Sequence, residues 1–169
     1  MKYRSWIFVL FVLIFAGCGS RTHRENNDNV RAFPDFKNET IDGKKYSRKE
    51  ISRGPAVVSF LVSWCLTCGY ELVALEEIRE EFESKELPVI IFTYEDPGKF
   101  DAIKDSLKIN IPVIHADSSM FAALEIDAIP TRILLLDGFE VKRIVGAPNH
   151  EENAFRATIR EKLGLPHES

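Results

Sequence analysis

The run Ala56-Val57-Val58-Ser59-Phe60-Leu61-Val62 leads almost directly into Trp64-Cys65-Leu66-Thr67-Cys68, and a helical period begins straight after the second cysteine. The run is short, rich in β-branched residues and nearly all apolar, the pattern of a central strand buried on both faces. Beyond the cysteines, Leu72, Leu75, Ile78 and Phe82 recur on one helical face, with Glu76, Glu77, Arg79 and Glu80 opposite. This joint between strand and helix constrains both fold and chemistry. Cys65 falls at or just before the helix N-terminus, where unpaired backbone N–H groups and the positive end of the helix dipole favour a thiolate. Cys68 lies one turn further on, close enough to close a disulfide. Such a pair can exchange thiols for disulfides through a mixed-disulfide intermediate.

The remaining elements build a layered α/β domain around that joint. Phe36 to Thr40 and Lys44 to Tyr46 are predicted as a hairpin turning at Asp42-Gly43. Ser47 and Glu50 have capping-box spacing. Pro88 to Thr93 reads as a second buried strand, and Phe100, Ile103 and Leu107 as the core face of a helix after Pro97. Val113-Ile114 is a short strand, and Ser118 or Ser119 caps a short helix running to Leu124. Thr131 to Leu136 and Val141 to Val145 form a closing hairpin around Asp137-Gly138. Asn149, with Glu152 three positions on, caps a last helix whose core face is Phe155, Ile159 and Leu163; Gly164 and Pro166 end it.

The N-terminus reads as an export and anchoring segment. A basic Met1-Lys2-Tyr3-Arg4 precedes an apolar stretch from Trp6 to Ala16, the length of a signal-peptide core rather than a bilayer span. Phe15-Ala16-Gly17-Cys18 resembles the lipobox of bacterial lipoproteins, with Phe15 where Leu is usual. On that reading residues 1–17 are a signal peptide, Cys18 carries the lipid, 18–32 form a polar flexible tether, and 33–169 are the domain. The alternative is an uncleaved N-terminal anchor in which Cys18 is incidental; either exports and tethers the domain. The formal net charge of −4 becomes about −6 without Lys2 and Arg4. With a low pI and no basic stripe, nothing points to nucleic acid.

Of three cysteines, lipidation of Cys18 leaves only Cys65 and Cys68, hence no separate disulfide framework. A structural zinc site needs four ligands, whereas the histidines are scattered at 23, 115, 150 and 167.

Together, Pro34-Asp35-Phe36, Asp42-Gly43, the strand into Trp64-Cys65-x-x-Cys68, Glu71, Ile129-Pro130-Thr131, Asp137-Gly138 and Gly146 resemble the thioredoxin superfamily. The narrower resemblance, from about Phe33 to Leu163, is to the membrane-tethered thiol–disulfide oxidoreductases known as TlpA and ResA. It implies a thioredoxin-like fold: a central mixed β-sheet flanked by helices, with an N-terminal β-hairpin extension. It also implies that Cys65 is the exposed attacking cysteine, Cys68 the buried resolving one, and Trp64 a ring packed beside them. Ile129-Pro130 would carry a cis peptide, with Ile129 and Thr131 offering backbone to an extended substrate; a trans proline merely opening a strand is the alternative. Glu71 either tunes or deprotonates Cys68, or is a first-turn acid favoured by the helix dipole. Thioredoxin's buried Asp is matched by Ser59, which cannot serve as a base.

The expected function is disulfide exchange with exported proteins in the cell envelope, as a reductant and a monomer without cofactor or metal. A separate electron donor or acceptor, such as a membrane thiol conduit, would recycle it. Leu66-Thr67 between the cysteines, where this branch commonly has Pro before the second, leaves the redox poise open. The competing reading is a copper-binding module on the same fold. That would use Cys-x-x-x-Cys and a distal His; the spacing here is one shorter, and His115 is the only candidate inside the domain. A peroxidase-like redoxin would place a Thr shortly before a single Cys, whereas Thr67 follows Cys65.

Overall fold

In the computed structural model, which describes residues 31–39 and 44–166, the apolar run before the cysteines is the middle strand of a five-stranded sheet. The strands are β1 (Lys37–Glu39), β2 (Lys45–Ser47), β3 (Pro55–Phe60), β4 (Val89–Thr93), β5 (Val113–His115), β6 (Thr131–Leu136) and β7 (Phe139–Val145). The helices are α1 (Leu66–Glu81), α2 (Asp101–Leu107), α3 (Ser118–Ala123) and α4 (Glu152–Lys162). The sheet order is β5-β4-β3-β6-β7. β3 pairs parallel with β4 and antiparallel with β6, so the sheet is mixed. β1 and β2 form a separate antiparallel pair, the expected N-terminal extension. The expected signal segment, Cys18, most of the tether and the Asp42-Gly43 turn lie outside the described residues.

β3 reads as continuously apolar because both of its faces are covered. Val57 points with Leu72, Leu75, Ile78, Phe155 and Ile159 into one core, beneath α1 and α4. Ala56, Val58 and Phe60 point with Phe33, Phe36, Phe92 and Met120 into the other. In that second core Phe33, Phe36 and Phe92 pack ring to ring at 5.1–5.9 Å.

The Ser47–Glu50 capping box forms: the Ser47 N–H donates to Glu50 Oε2 at 2.6 Å, and the Lys49 N–H donates to Ser47 Oγ at 3.3 Å. Asp137 and Gly138 both take positive φ, 54° and 81°, as a tight turn between twisted strands requires. Four local expectations are corrected. Leu107 is 41% exposed, because Lys108 enters the left-handed region and turns the chain so that Ile109 and Ile111 enter the core instead. The cap of α3 is Asp117, whose Oδ1 accepts from the Met120 N–H at 3.0 Å, and Ser119 merely donates to that carboxylate. The Asn149 and Glu152 side chains do not form a reciprocal cap: Asn149 Oδ1 accepts from the Glu151 N–H at 2.8 Å and its carbonyl from the Glu152 N–H at 3.0 Å, while the Glu152 carboxylate turns inward to Arg132. Glu76, placed by periodicity on the solvent face of α1, is 7% exposed and accepts from the Asn110 N–H at 3.1 Å.

Candidate active site

Cys65 is the N-cap of α1, with extended backbone, and α1 runs for 16 residues behind it. Its sulfur therefore sits where the first helical N–H groups lack intrahelical partners. The Cys68 N–H donates to the Cys65 carbonyl at 3.0 Å, which seats the second cysteine inside the first turn. Both are free thiols, Cys65 partly exposed and Cys68 buried. Partial burial works against the Cys65 thiolate, but hydrogen bonds from Cys68 and Thr67 outweigh it and hold the thiol below its ordinary range. The Thr67 hydroxyl lies 3.1 Å from Cys65 Sγ. For Cys68 the balance is reversed: burial, the neighbouring Cys65 sulfur and the charge of Glu71 push it up to about 12.

Trp64, Cys65, Leu66, Cys68 and Gly69 share an open apolar groove with Phe100 and Ile103. Trp64 is 72% exposed, so its ring borders the groove rather than filling it. Ile129-Pro130 is cis, and Pro130 is buried. Ile129 packs against the same core cluster as Cys65. Thr131 opens β6 opposite Phe60, its hydroxyl donating to the Ala128 carbonyl at 2.7 Å.

Glu71 is not a surface acid of the first turn but a buried one, at 1% exposure. Its Oε1 accepts from the Ser59 hydroxyl at 2.9 Å and from Arg132 Nε at 2.8 Å, and its Oε2 from Arg132 Nη2 at 2.6 Å. Burial pushes the Glu71 carboxyl up from its ordinary value; the bonds and charge of Arg132 and the Ser59 hydroxyl oppose that rise. Arg132 is absent from the candidates the sequence suggests. Its signal was there: one cation within a run that reads as a buried strand must have a buried partner.

A second unanticipated group is Glu95, beyond the end of β4. It accepts from the Ser63 N–H at 2.6 Å and from Lys99 Nζ at 3.1 Å, tying down the loop that carries Trp64 and Cys65. Burial works against its carboxylate, but the Ser63 and Lys99 bonds prevail and hold it below the ordinary range. A carboxyl depressed in the folded state stabilises it above its unfolded value and loses that contribution as pH falls through the folded value. Glu95→Gln is therefore expected to lower stability by about 1–3 kcal/mol at neutral pH. The difference from the unsubstituted protein should narrow in acid, as read by urea denaturation at several pH values. His115, the copper candidate, places Nδ1 3.1 Å from the Glu95 carbonyl. Among the described residues no three His, Cys, Asp or Glu side chains converge as a metal-holding group.

A mixed sheet centred on β3, a cis-proline ahead of β6 and a dithiol at the start of α1 define a thioredoxin-like oxidoreductase. More particularly, the chain belongs to the AhpC/TSA family, whose pattern matches residues 30–136. It is 23% identical over 165 residues to the thiol-disulfide oxidoreductase ResA of Bacillus cereus, across 90% of this chain and 94% of that protein. It is 24% identical over 106 residues to the thioredoxin-like protein YneN of Bacillus subtilis, across 60% of this chain and only 62% of that one. Among solved structures it resembles a thiol:disulfide interchange protein of the thioredoxin family from Chlorobium tepidum, with a TM-score of 0.67 and 22% identity over 80% of this chain and 98% of that one. The exposed lipoprotein thioredoxin of Streptococcus pneumoniae superposes with a TM-score of 0.63 and 23% identity, over 76% and 99% of the two chains.

Proposed function

We propose that this protein reduces disulfides of exported proteins in the cell envelope, through Cys65 and Cys68, while held to the membrane by a lipid on Cys18. The observation that carries the chemistry is the asymmetry of the two thiols: Cys65 is accessible and easily ionised, Cys68 buried and hard to ionise. The Cys65 thiolate attacks a substrate disulfide. That S–S bond breaks, a mixed disulfide forms, and the displaced substrate sulfur leaves as a thiolate and takes up a proton. Cys68 then loses its proton and attacks Cys65 Sγ. The Cys65–Cys68 bond forms, the mixed disulfide breaks, and two electrons have passed to the substrate. Trp64 borders the groove beside Cys65, and on this reading the backbone at Ile129, Pro130 and Thr131 would pair with the substrate segment.

The reducing direction is part of this proposal, and it depends on how strongly the thiolates of the reduced pair are stabilised. A pair becomes strongly oxidising when its reduced form is stabilised, as by a thiolate of very low pKa. Cys65, held below its ordinary range, stabilises the reduced form to that extent, whereas Cys68, pushed up to about 12, adds no thiolate stabilisation to it. With no other cysteine in the domain, an external thiol system must return the electrons. Two features support the location: the lipobox-like Phe15-Ala16-Gly17-Cys18 and the likeness to an exposed lipoprotein thioredoxin.

The test is the reduction potential of the pair, by equilibration with glutathione, together with insulin reduction by dithiothreitol. A potential near about −270 mV and catalysed insulin reduction are expected. A value near about −120 mV would make the protein an oxidant instead. In cells, Cys18→Ser should move the protein from the membrane fraction to the soluble one.

A further inference from the structure

Arg132 is fully buried, yet it belongs to a chain of ion pairs that ends at the surface. Along β6, Ile133 and Leu135 face the aromatic core. Arg132 therefore shares with Leu134 the face beneath α1 and α4, opposite Ser59 of β3. Its Nε and Nη2 hold the two oxygens of Glu71. Its Nη1 donates to both oxygens of Glu152 on α4, at 3.0 and 2.7 Å. Glu152 in turn accepts from Arg156 at 3.2 Å, and Arg156 reaches Glu77 and Glu81 of α1 at 2.9 and 2.7 Å. The guanidinium also lies over the Phe155 ring, 5.2 Å from its centroid. One carboxylate end of this chain lies one helical turn beyond Cys68.

We propose that Arg132 is a positioning residue of the redox site: by clamping both oxygens of Glu71 it keeps that carboxylate charged and aimed, and so holds Cys68 as a thiol. The inference rests on the exchange reading above and adds the residue that sets the resolving cysteine. A carboxylate this deeply buried keeps its charge only against a counter-charge with matching geometry, and the guanidinium fork supplies two parallel bonds. The charged and titratable groups acting on Cys68 and Glu71 are Cys65 at the N-cap of α1, Arg132 on β6 and Glu152 on α4, together with the Ser59 hydroxyl on β3. Towards α2 the groove presents only Phe100 and Ile103. Arg132 is the one cation in contact with Glu71 among the described residues.

A chromogenic aromatic disulfide separates the two sulfur steps. Cys65 attacks the reagent and releases one coloured thiolate. Cys68 then attacks the Cys65–aryl disulfide, closes the Cys65–Cys68 bond and releases the second. The rate of the second phase follows the thiolate fraction of Cys68. In Arg132→Met, Glu71 loses its counter-charge and takes up a proton, and Cys68 ionises more readily. Each unit of fall gives tenfold more thiolate of lower nucleophilicity, so the second phase should quicken about threefold near neutral pH. Glu71→Gln should do the same, and the double variant should be no faster than Glu71→Gln alone. Arg132→Lys, which keeps the charge, should stay near the unsubstituted rate, and the first phase should be unchanged throughout. An unchanged or slower second phase in Arg132→Met, or an acceleration that adds to that of Glu71→Gln, overturns the proposal. Where Arg132→Met does not fold, the double variant decides: a rate no higher than that of Glu71→Gln supports the clamp, and a faster one overturns it. Failure of the unsubstituted protein to reduce insulin would instead sink the exchange reading itself.

Discussion

The Cys65→Ser protein is expected to reduce insulin no faster than dithiothreitol alone, a loss of at least about a thousandfold, or about 4 kcal/mol of transition-state stabilisation. A serine hydroxyl in this position is not ionised by a helix N-terminus, and Cys68, buried and pushed up to about 12, cannot take over the first attack. Cys68→Ser separates the two steps. Its Cys65 still attacks, but nothing resolves the mixed disulfide, so covalent adducts with envelope proteins should accumulate. Non-reducing electrophoresis and mass spectrometry would show them, and dithiothreitol would dissolve them. Adducts in Cys65→Ser with none in Cys68→Ser would mean that the two cysteines have exchanged roles.

What could be read from the chain alone is what local pattern encodes. The joint at Cys65 was legible because a strand, a cap position and a helical period are all short-range signals. The cis proline was legible through a resemblance spread over the domain. Glu71 was legible as a residue but not in its environment: three residues beyond Cys68 it could be a solvated first-turn acid, and only the packing of β6 and α4 over α1 buries it. Glu152 shows the same limit. Its spacing from Asn149 satisfies a capping pattern, and a tertiary partner, Arg132, overrides that local preference. Leu107 and Ile109 differ for a backbone reason, since a left-handed Lys108 ends α2 and breaks the period that placed Leu107 inside. Glu95 gave no signal at all, because its role depends on a contact with Ser63, 32 residues away in sequence.

The largest stability effect is expected at Arg132. Arg132→Met leaves Glu71 buried beside Cys68 with only the Ser59 hydroxyl as a partner. Breaking a buried ion pair on one side typically costs about 3–5 kcal/mol, because the abandoned charge must stay ionised in an apolar site or take up a proton. The second course raises the folded-state value of Glu71 further. A carboxyl raised on folding favours the folded state below its unfolded value and loses that advantage as pH rises through the folded one. The deficit of Arg132→Met should therefore be small near pH 5 and grow toward neutrality, read from urea denaturation across that range. Arg132→Met with Glu71→Leu removes both charges together, and most of the deficit should disappear. Glu152 need not be stranded, since its side chain is 17% exposed and already accepts from Arg156. What the double variant fails to recover measures the packing of the guanidinium over Phe155. If the double variant were as unstable as the single one, the role of Arg132 would be packing rather than charge. A deficit independent of pH would show that Glu71 does not depend on Arg132 for its ionisation.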